Sequence, residues 1–252
     1  MTFQIVLLIT TFLFGIVIGS FLNVCIYRIP RKEDIVKERS HCMSCGHTLA
    51  WYDLIPLFSF IGLRGKCRYC HTKLSIQYPV IEALNGVIYV LVVLKYQLSV
   101  ESLLYCLLAS ALIVLSVIDL RTFEIPVGVN IFIALLGVVR VAADYRNWYL
   151  YLIGAACVSA VLLAIYFISK GRAIGGGDIK LMAAAGLLLG WKLIVFAFIA
   201  GCILGAVIHL IRMKASKQDH VLAMGPYLSL GIMIAVLVGD FLINWYFGTI
   251  LA

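Results

Sequence analysis

An all-α polytopic membrane protein, with about eight transmembrane helices and a small cytosolic zinc-binding module between helices 1 and 2, is the fold the sequence predicts. Three observations predict it. Of the 252 residues, 63% are hydrophobic and only 13% charged, against roughly 25% charged in a soluble domain. The apolar residues fall into runs at about 4–27, 77–94, 101–118, 126–143, 149–168, 179–190, 192–211 and 222–248, several of them near the ~20 residues a helix needs to cross hydrocarbon. The basic residues collect in alternate connections between those runs.

The first run opens with "MTFQ", which lacks a positive n-region, and it is longer than the apolar part of a signal peptide, so it reads as the first helix. The second run reaches span length only if it begins near Gln77. Gly190, Trp191 and Lys192 separate the sixth run from the seventh and are read as a turn at one face. With the N-terminus outside, Lys95, Arg140, Arg146 and Lys192 lie outside and the other sixteen of the 20 Lys and Arg lie inside, among them Arg212, Lys214 and Lys217. Seven spans would move that last cluster outside, so the positive-inside bias favours eight. The formal charge of +8 therefore speaks first to topology and second to anionic headgroups. Three segments follow: a first helix (1–27), a cytosolic four-cysteine module (28–76) and a seven-helix membrane core (77–252).

The module carries two C-x-x-C pairs, Cys42 with Cys45 and Cys67 with Cys70. Two such pairs flanking a short loop supply four thiolates for one tetrahedral zinc ion, and Gly46 and Gly65 permit tight turns beside them. Disulfides are disfavoured because a loop on the cytosolic side sits in a reducing compartment. His41, His47 and His71 lie beside the cysteines as replacement ligands or outer-shell partners. Cys25, Cys106, Cys157 and Cys202 occur singly in or beside apolar runs and read as small buried side chains. Nucleic acid is not an expected partner, because Trp51, Phe58 and Phe60 are interleaved with Leu and Ile rather than with basic residues.

Charges at the edge of membrane spans are costly and call for individual explanation. Asp119 ends the third run in "LSVIDLRTFEIP" and Asp178 begins the sixth in "AIGGGDIK". Eight spans put both at the cytosolic ends of their helices, at similar depth. A pair of carboxylates shares one proton, because like-charge repulsion opposes double ionisation. The ionised member can deprotonate water while the protonated one polarises a peptide carbonyl. Such a pair at the membrane edge suits hydrolysis of a peptide joined to an apolar helix. Taken singly, Asp178 is equally readable as a helix cap and Asp119 as an ion-pair partner of Arg121. An ion-coupled transporter is the competing class, although its acids belong near the midplane, and Asp240, the one acid well inside an apolar run, lies near the outer end of the last span.

The stretches "GSFLNVCIYRIP", "WYDLIP", "LRGKCRYC", "YPVIE", "DLRTFEIP", "GGGDIKLMAAAG" and "MGPYLSLG" together resemble the type IV prepilin peptidases, the leader peptidase and N-methyltransferase family. The resemblance covers nearly the whole chain. It implies a membrane aspartic protease of the G-x-G-D type, with Asp119 and Asp178 as its dyad, in the bacterial plasma membrane with its site at the cytosolic face. The implied substrates are type IV prepilins or pseudopilins, cut after a glycine and before a hydrophobic helix. Methylation of the new N-terminus by S-adenosyl-L-methionine is carried by the resemblance alone, which associates Glu82 and the large loop with that activity. Met43, where the family often has proline, and Phe123 beside Glu124 depart from the pattern.

Overall fold

The computed structural model describes residues 2–215 and 223–250; Lys217, counted above with the inside basic residues, lies outside them. Ten helices follow in order: α1 (Thr2–Arg28), α2 (Phe58–Gly62), α3 (Gln77–Tyr96), α4 (Val100–Thr122), α5 (Val127–Ala143), α6 (Trp148–Ile168), α7 (Gly176–Leu189), α8 (Trp191–Ala215), α9 (Gly225–Ile234) and α10 (Asp240–Ile250). A π-helical turn at Ala235–Gly239 joins the last two. No strand occurs among the described residues beyond two isolated bridges in the cysteine module.

Each of the eight apolar runs is helical, but six helical segments rather than eight are long and apolar enough to cross a membrane: α1, α3, α4, α6, α8 and the α9–α10 segment. With 17 residues, α5 falls short, and with 14, α7 is shorter still. At 1.5 Å per residue, α7 extends about 21 Å, against ~30 Å of hydrocarbon. The cause lies at its ends. Gly190 turns the chain at φ +79°, as the turn expected there requires, and the glycine triplet delays the start. A short helix is tolerated here because protein surrounds it, and Leu181, Met182, Ala185 and Leu188 are all fully buried.

The chain divides into two compact units, residues up to Ser102 and residues from Leu103 on. In the first, α1 packs on α3. Lipid tails offer no hydrophobic drive for such pairing, so close packing and interhelical hydrogen bonds supply it. Asn85 donates to the Gly15 carbonyl at 2.7 Å, and Asn23 donates to the Tyr78 carbonyl at 3.3 Å. The loop after α1 wraps around Arg28, whose buried guanidinium donates to the carbonyls of Asp34 and Glu38 at 2.9 Å. Arg28, counted above only as a topological charge, is thus a structural residue.

In the second unit, α7 packs against α5, α6 and α8, and α8 against α9. Small residues make the crossings. A Cβ on Gly154 of α6 would collide with the Gly186 carbonyl of α7, and the reverse also holds. Of the G-x-x-x-G pair in α8, only Gly201 is pressed against backbone, with Tyr227 O at 3.0 Å from an added Cβ, while Gly205 meets nothing closer than 3.5 Å. Asp240 is exposed at the end of the π turn. We expect Gly154→Val to destabilise the protein by at least about 1–3 kcal/mol through overpacking. Gly128→Ala, with open space around it, should stay within about 0.5 kcal/mol, both read as thermal unfolding in detergent.

Candidate active site and metal centre

Asp119 continues the buried stripe of α4 formed by Leu108, Leu112 and Leu115, spaced as one helical face. Its carboxylate is therefore carried inward by the same periodicity that buries the leucines, and only 4% of the residue is exposed. A single polar contact is resolved: the backbone N–H of Gly225, at the start of α9, donates to Asp119 Oδ2 at 2.8 Å. A Cβ on residue 225 would lie 2.7 Å from that oxygen, so any larger residue there must displace the carboxylate.

Asp178 sits in the first turn of α7, which begins at Gly176 after Gly175, and the Gly175 backbone N–H bonds its carboxyl across that turn, the contact a capping acid makes. Its Oδ1 is buried without a hydrogen-bond partner, a costly state for an acceptor unless something else uses it. The glycines beside it have distinct surroundings. An added Cβ on Gly177 would come 2.9 Å from Ile125, whereas one on Gly176 meets nothing. Buried Asn130 donates to the Gly177 carbonyl at 3.4 Å.

Asp119 and Asp178 line one cavity of about 320 Å³, with Phe123, Glu124, Ile125, Gly175–Gly177 and Lys180. They are near enough for the charge of Asp119 to act on Asp178. Phe123 adopts φ +53° and its N–H caps the Asp119 carbonyl, ending α4 so that exposed Glu124 and Ile125 run along the cavity rim. Sequence reasoning paired the two aspartates but missed Gly225 and Asn130. A glycine-proline step before the last helix was the available signal for the first, and an asparagine in an apolar run for the second.

The four cysteine sulfurs lie within 4.8 Å of one another, and Cys42 Sγ is 3.8 Å from Cys70 Sγ. Four sulfurs each about 2.3 Å from a central ion at tetrahedral angles stand about 3.8 Å apart, so the donor set fits a metal. Two matching turns build it. Cys42 N–H donates to the His47 carbonyl and Cys67 N–H to the Thr72 carbonyl, both at 2.9 Å, and Gly46 and His71 each return an N–H to the first cysteine of their pair. Both residues are left-handed, at φ +69° and +56°. Glycine takes this conformation freely, and histidine is among the side chains enriched there.

Hydrogen bonding by the side chain and then the backbone of Thr72 brings the Cys70 thiol down to about 6, and the backbone N–H of Cys45 lowers that of Cys42. Both effects favour the thiolate that metals bind. His47 stacks on Tyr69, ring centroids 3.7 Å apart, and the potential metal-ligand group of this module contains thiols only. Asp53 pairs with Arg68 at 2.7 Å, tying the "WYDL" turn to the second pair.

Glu82 lies in the first unit, on α3. It is buried, accepts from the Leu57 N–H at 2.8 Å and bonds the Ser20 hydroxyl.

A helical, multi-pass membrane protein with two carboxylates on one cavity is the class this geometry defines, and comparison with known proteins makes it a peptidase. Residues 13–96 match the bacterial peptidase A24 N-terminal domain and residues 106–210 the type IV leader peptidase family. Curated relatives named prepilin leader peptidase/N-methyltransferase include one from Bacillus subtilis (strain 168), 34% identical over 93% of this chain and 96% of the relative. Those of Aeromonas salmonicida (strain A449) and Legionella pneumophila are 30% and 31% identical, over 95% and 94% of this chain and 94% and 93% of theirs. No solved structure matches. The chain belongs to the type IV leader peptidase family, as the resemblance in its motifs implies.

Protein purified reduced and without chelator should contain one thiophilic divalent ion per chain by elemental analysis, and Cys67→Ser, which removes a buried ligand, should lose most of it.

Proposed function

We propose that this chain cuts the leader peptide from type IV prepilins or pseudopilins at the cytosolic face of the bacterial plasma membrane and methylates the new N-terminus. The observation that carries the cleavage reading is the shared cavity of Asp119 and Asp178, at the C-terminal end of α4 and the N-terminal end of α7. Relatives named prepilin leader peptidase/N-methyltransferase, alike over nearly the whole chain, support it.

The dyad works as a proton-sharing pair. The ionised carboxylate takes a proton from water as the water oxygen attacks the scissile carbonyl carbon. The protonated carboxylate donates to the carbonyl oxygen, so that the tetrahedral intermediate is uncharged there. Collapse of that intermediate breaks the C–N bond, and the amine leaves with a proton returned by the dyad. The Gly225 N–H holds Asp119 Oδ2 and thereby limits its rotation. The unpartnered Asp178 Oδ1 is free to bond water. The open flank at Gly176 leaves room for the backbone around the cut bond.

Zinc is the ion proposed for Cys42, Cys45, Cys67 and Cys70, because four thiolates at tetrahedral spacing suit it and close the coordination shell. Its role is to hold the two turns together rather than to react. S-adenosyl-L-methionine is the proposed methyl donor; when bound it supplies an electrophilic methyl group.

Detergent-solubilised protein incubated with a prepilin tests the peptidase. Asp119→Asn and Asp178→Asn should each lower cleavage by about 10²–10⁴-fold, and full cleavage by both would defeat the assignment. Gly225→Ala should keep both carboxylates and still slow cleavage, by up to about 10²-fold, because the added methyl displaces Asp119 Oδ2.

A further inference from the structure

The connection between α1 and α3 carries an apolar surface that the described residues leave uncovered, and the short helix α2 shows it most directly. On one side of α2, Ser59, Phe60 and Leu63 line a cavity of about 560 Å³ within the first unit. The Phe60 ring folds back to 3.0 Å from where a Cβ on Gly65 would stand. On the other side, Phe58 and Ile61, three residues apart, are 63% and 70% exposed, and Gly62 has open space around it. Trp51, which opens the 3-10 turn before α2, is 76% exposed. A helix that is apolar on both sides, with only one side covered by protein, calls for a second apolar medium on the other.

The depth of α2 says which medium. The N–H of Leu57, immediately before α2, donates to the Glu82 carboxylate at 2.8 Å. Glu82 stands about 8 Å along α3 from its first residue, at 1.5 Å per residue, and its side chain reaches back toward the helix N-terminus over only part of that distance. The bond is therefore made on the flank of α3. With 20 residues, α3 is about 30 Å long, just the thickness of the hydrocarbon, so a spanning α3 has no first turn to hold clear of the membrane. That sets α2 at the boundary of headgroups and acyl chains, where interfacial segments lie.

The charges around it fit the same surface. Between Asp53 and Glu82 the sequence has no acid but has Arg64, Lys66, Arg68 and Lys73, all exposed. Arg68 is committed to Asp53, and the other three form no salt bridge among the described residues. An isolated antiparallel bridge sets Lys66 opposite Lys73. Like charges so placed repel, and an anion beside them relieves the repulsion.

We propose that residues 51–66 form an interfacial anchor that lies in the headgroup layer of an anionic bilayer, with Trp51, Phe58 and Ile61 entering the acyl boundary and Arg64, Lys66 and Lys73 meeting lipid phosphates. Tryptophan favours this level of a membrane, and basic side chains beside it select anionic lipid. The cysteine module is then held to the membrane at a third place besides the ends of α1 and α3. The anchor is independent of either catalytic reading above.

Trp51 reports on its own surroundings, because the fluorescence of the unaltered protein less that of Trp51→Phe is the signal of this residue. The whole protein is placed in nanodiscs of phosphatidylcholine with phosphatidylglycerol, or of phosphatidylcholine alone. In the anionic discs, lipid brominated on its acyl chains should quench the Trp51 signal, and acrylamide in the water should quench it at least about threefold less than it quenches free tryptophan. Arg64→Ala with Lys66→Ala should lower the docked-to-free ratio of the segment about 25-fold there, at about fivefold per charge, and leave it unchanged in phosphatidylcholine alone. Phe58→Ser with Ile61→Ser should lose the lipid quenching. All four positions are exposed, so thermal unfolding of these variants should match that of the unaltered protein. A photoactivatable phospholipid, which needs no variant, should mark residues 51–66 and spare the first cysteine turn at 42–47.

Acrylamide quenching of Trp51 equal to that of free tryptophan in the anionic discs overturns the proposal, as does the absence of lipid label from residues 51–66. Undiminished docking by the double charge variant overturns it too. Protection of Trp51 that needs added prepilin or a second chain in the disc, without lipid quenching, makes the surface a protein-docking site and defeats the membrane assignment equally.

Discussion

The hydrogen bond from Gly225 N–H to Asp119 Oδ2 is the contact around which the cavity of the second unit is arranged. A carboxylate inside an apolar helical bundle is tolerated only when the protein provides for its oxygens. Here one oxygen is held by the backbone N–H of a glycine whose missing side chain leaves room for it, and the other side of the group opens on a cavity. The same rule organises the neighbouring elements. Gly177 lets α7 approach Ile125 closely enough to put Asp178 on that cavity, and Asn130 binds the Gly177 carbonyl at the point of approach.

The first unit solves the same problem differently. Its polar groups are buried in larger number and partnered mostly by backbone: Asn85 on Gly15, Asn23 on Gly19 and Tyr78, Arg28 on the loop it gathers, Glu82 on Leu57. The Asn85 bond and the Asn23 bond to Tyr78 join α1 and α3 to each other, and those of Arg28 and Glu82 tie the two helices to a polar module that has little apolar core of its own. In that module two left-handed turns bring four thiols within 4.8 Å of one another.

Several acids outside the dyad are already committed. Asp34 accepts from the N–H groups of Val36 and Lys37, and Asp53 pairs with Arg68. Glu124 remains exposed at the rim of the dyad's cavity. Net charge alone conveyed none of this, because it counts groups without their partners.

The sequence by itself determined the helical membrane fold, the positions of all eight apolar segments, the cysteine module and its two C-x-x-C pairs. These are local signals: run length, composition and short-range spacing report directly on how a helix or a turn satisfies its own backbone. The motifs also identified the family. Only the tertiary structure decided that α5 and α7 are short, because a helix buried by its neighbours need not match the bilayer. It alone supplied Gly225 as the partner of Asp119, 106 residues away, and joined the face of Ser20 to that of Glu82 around a cavity. Such contacts depend on which helices cross and at which small residues, and a linear pattern of hydrophobicity carries no record of that choice.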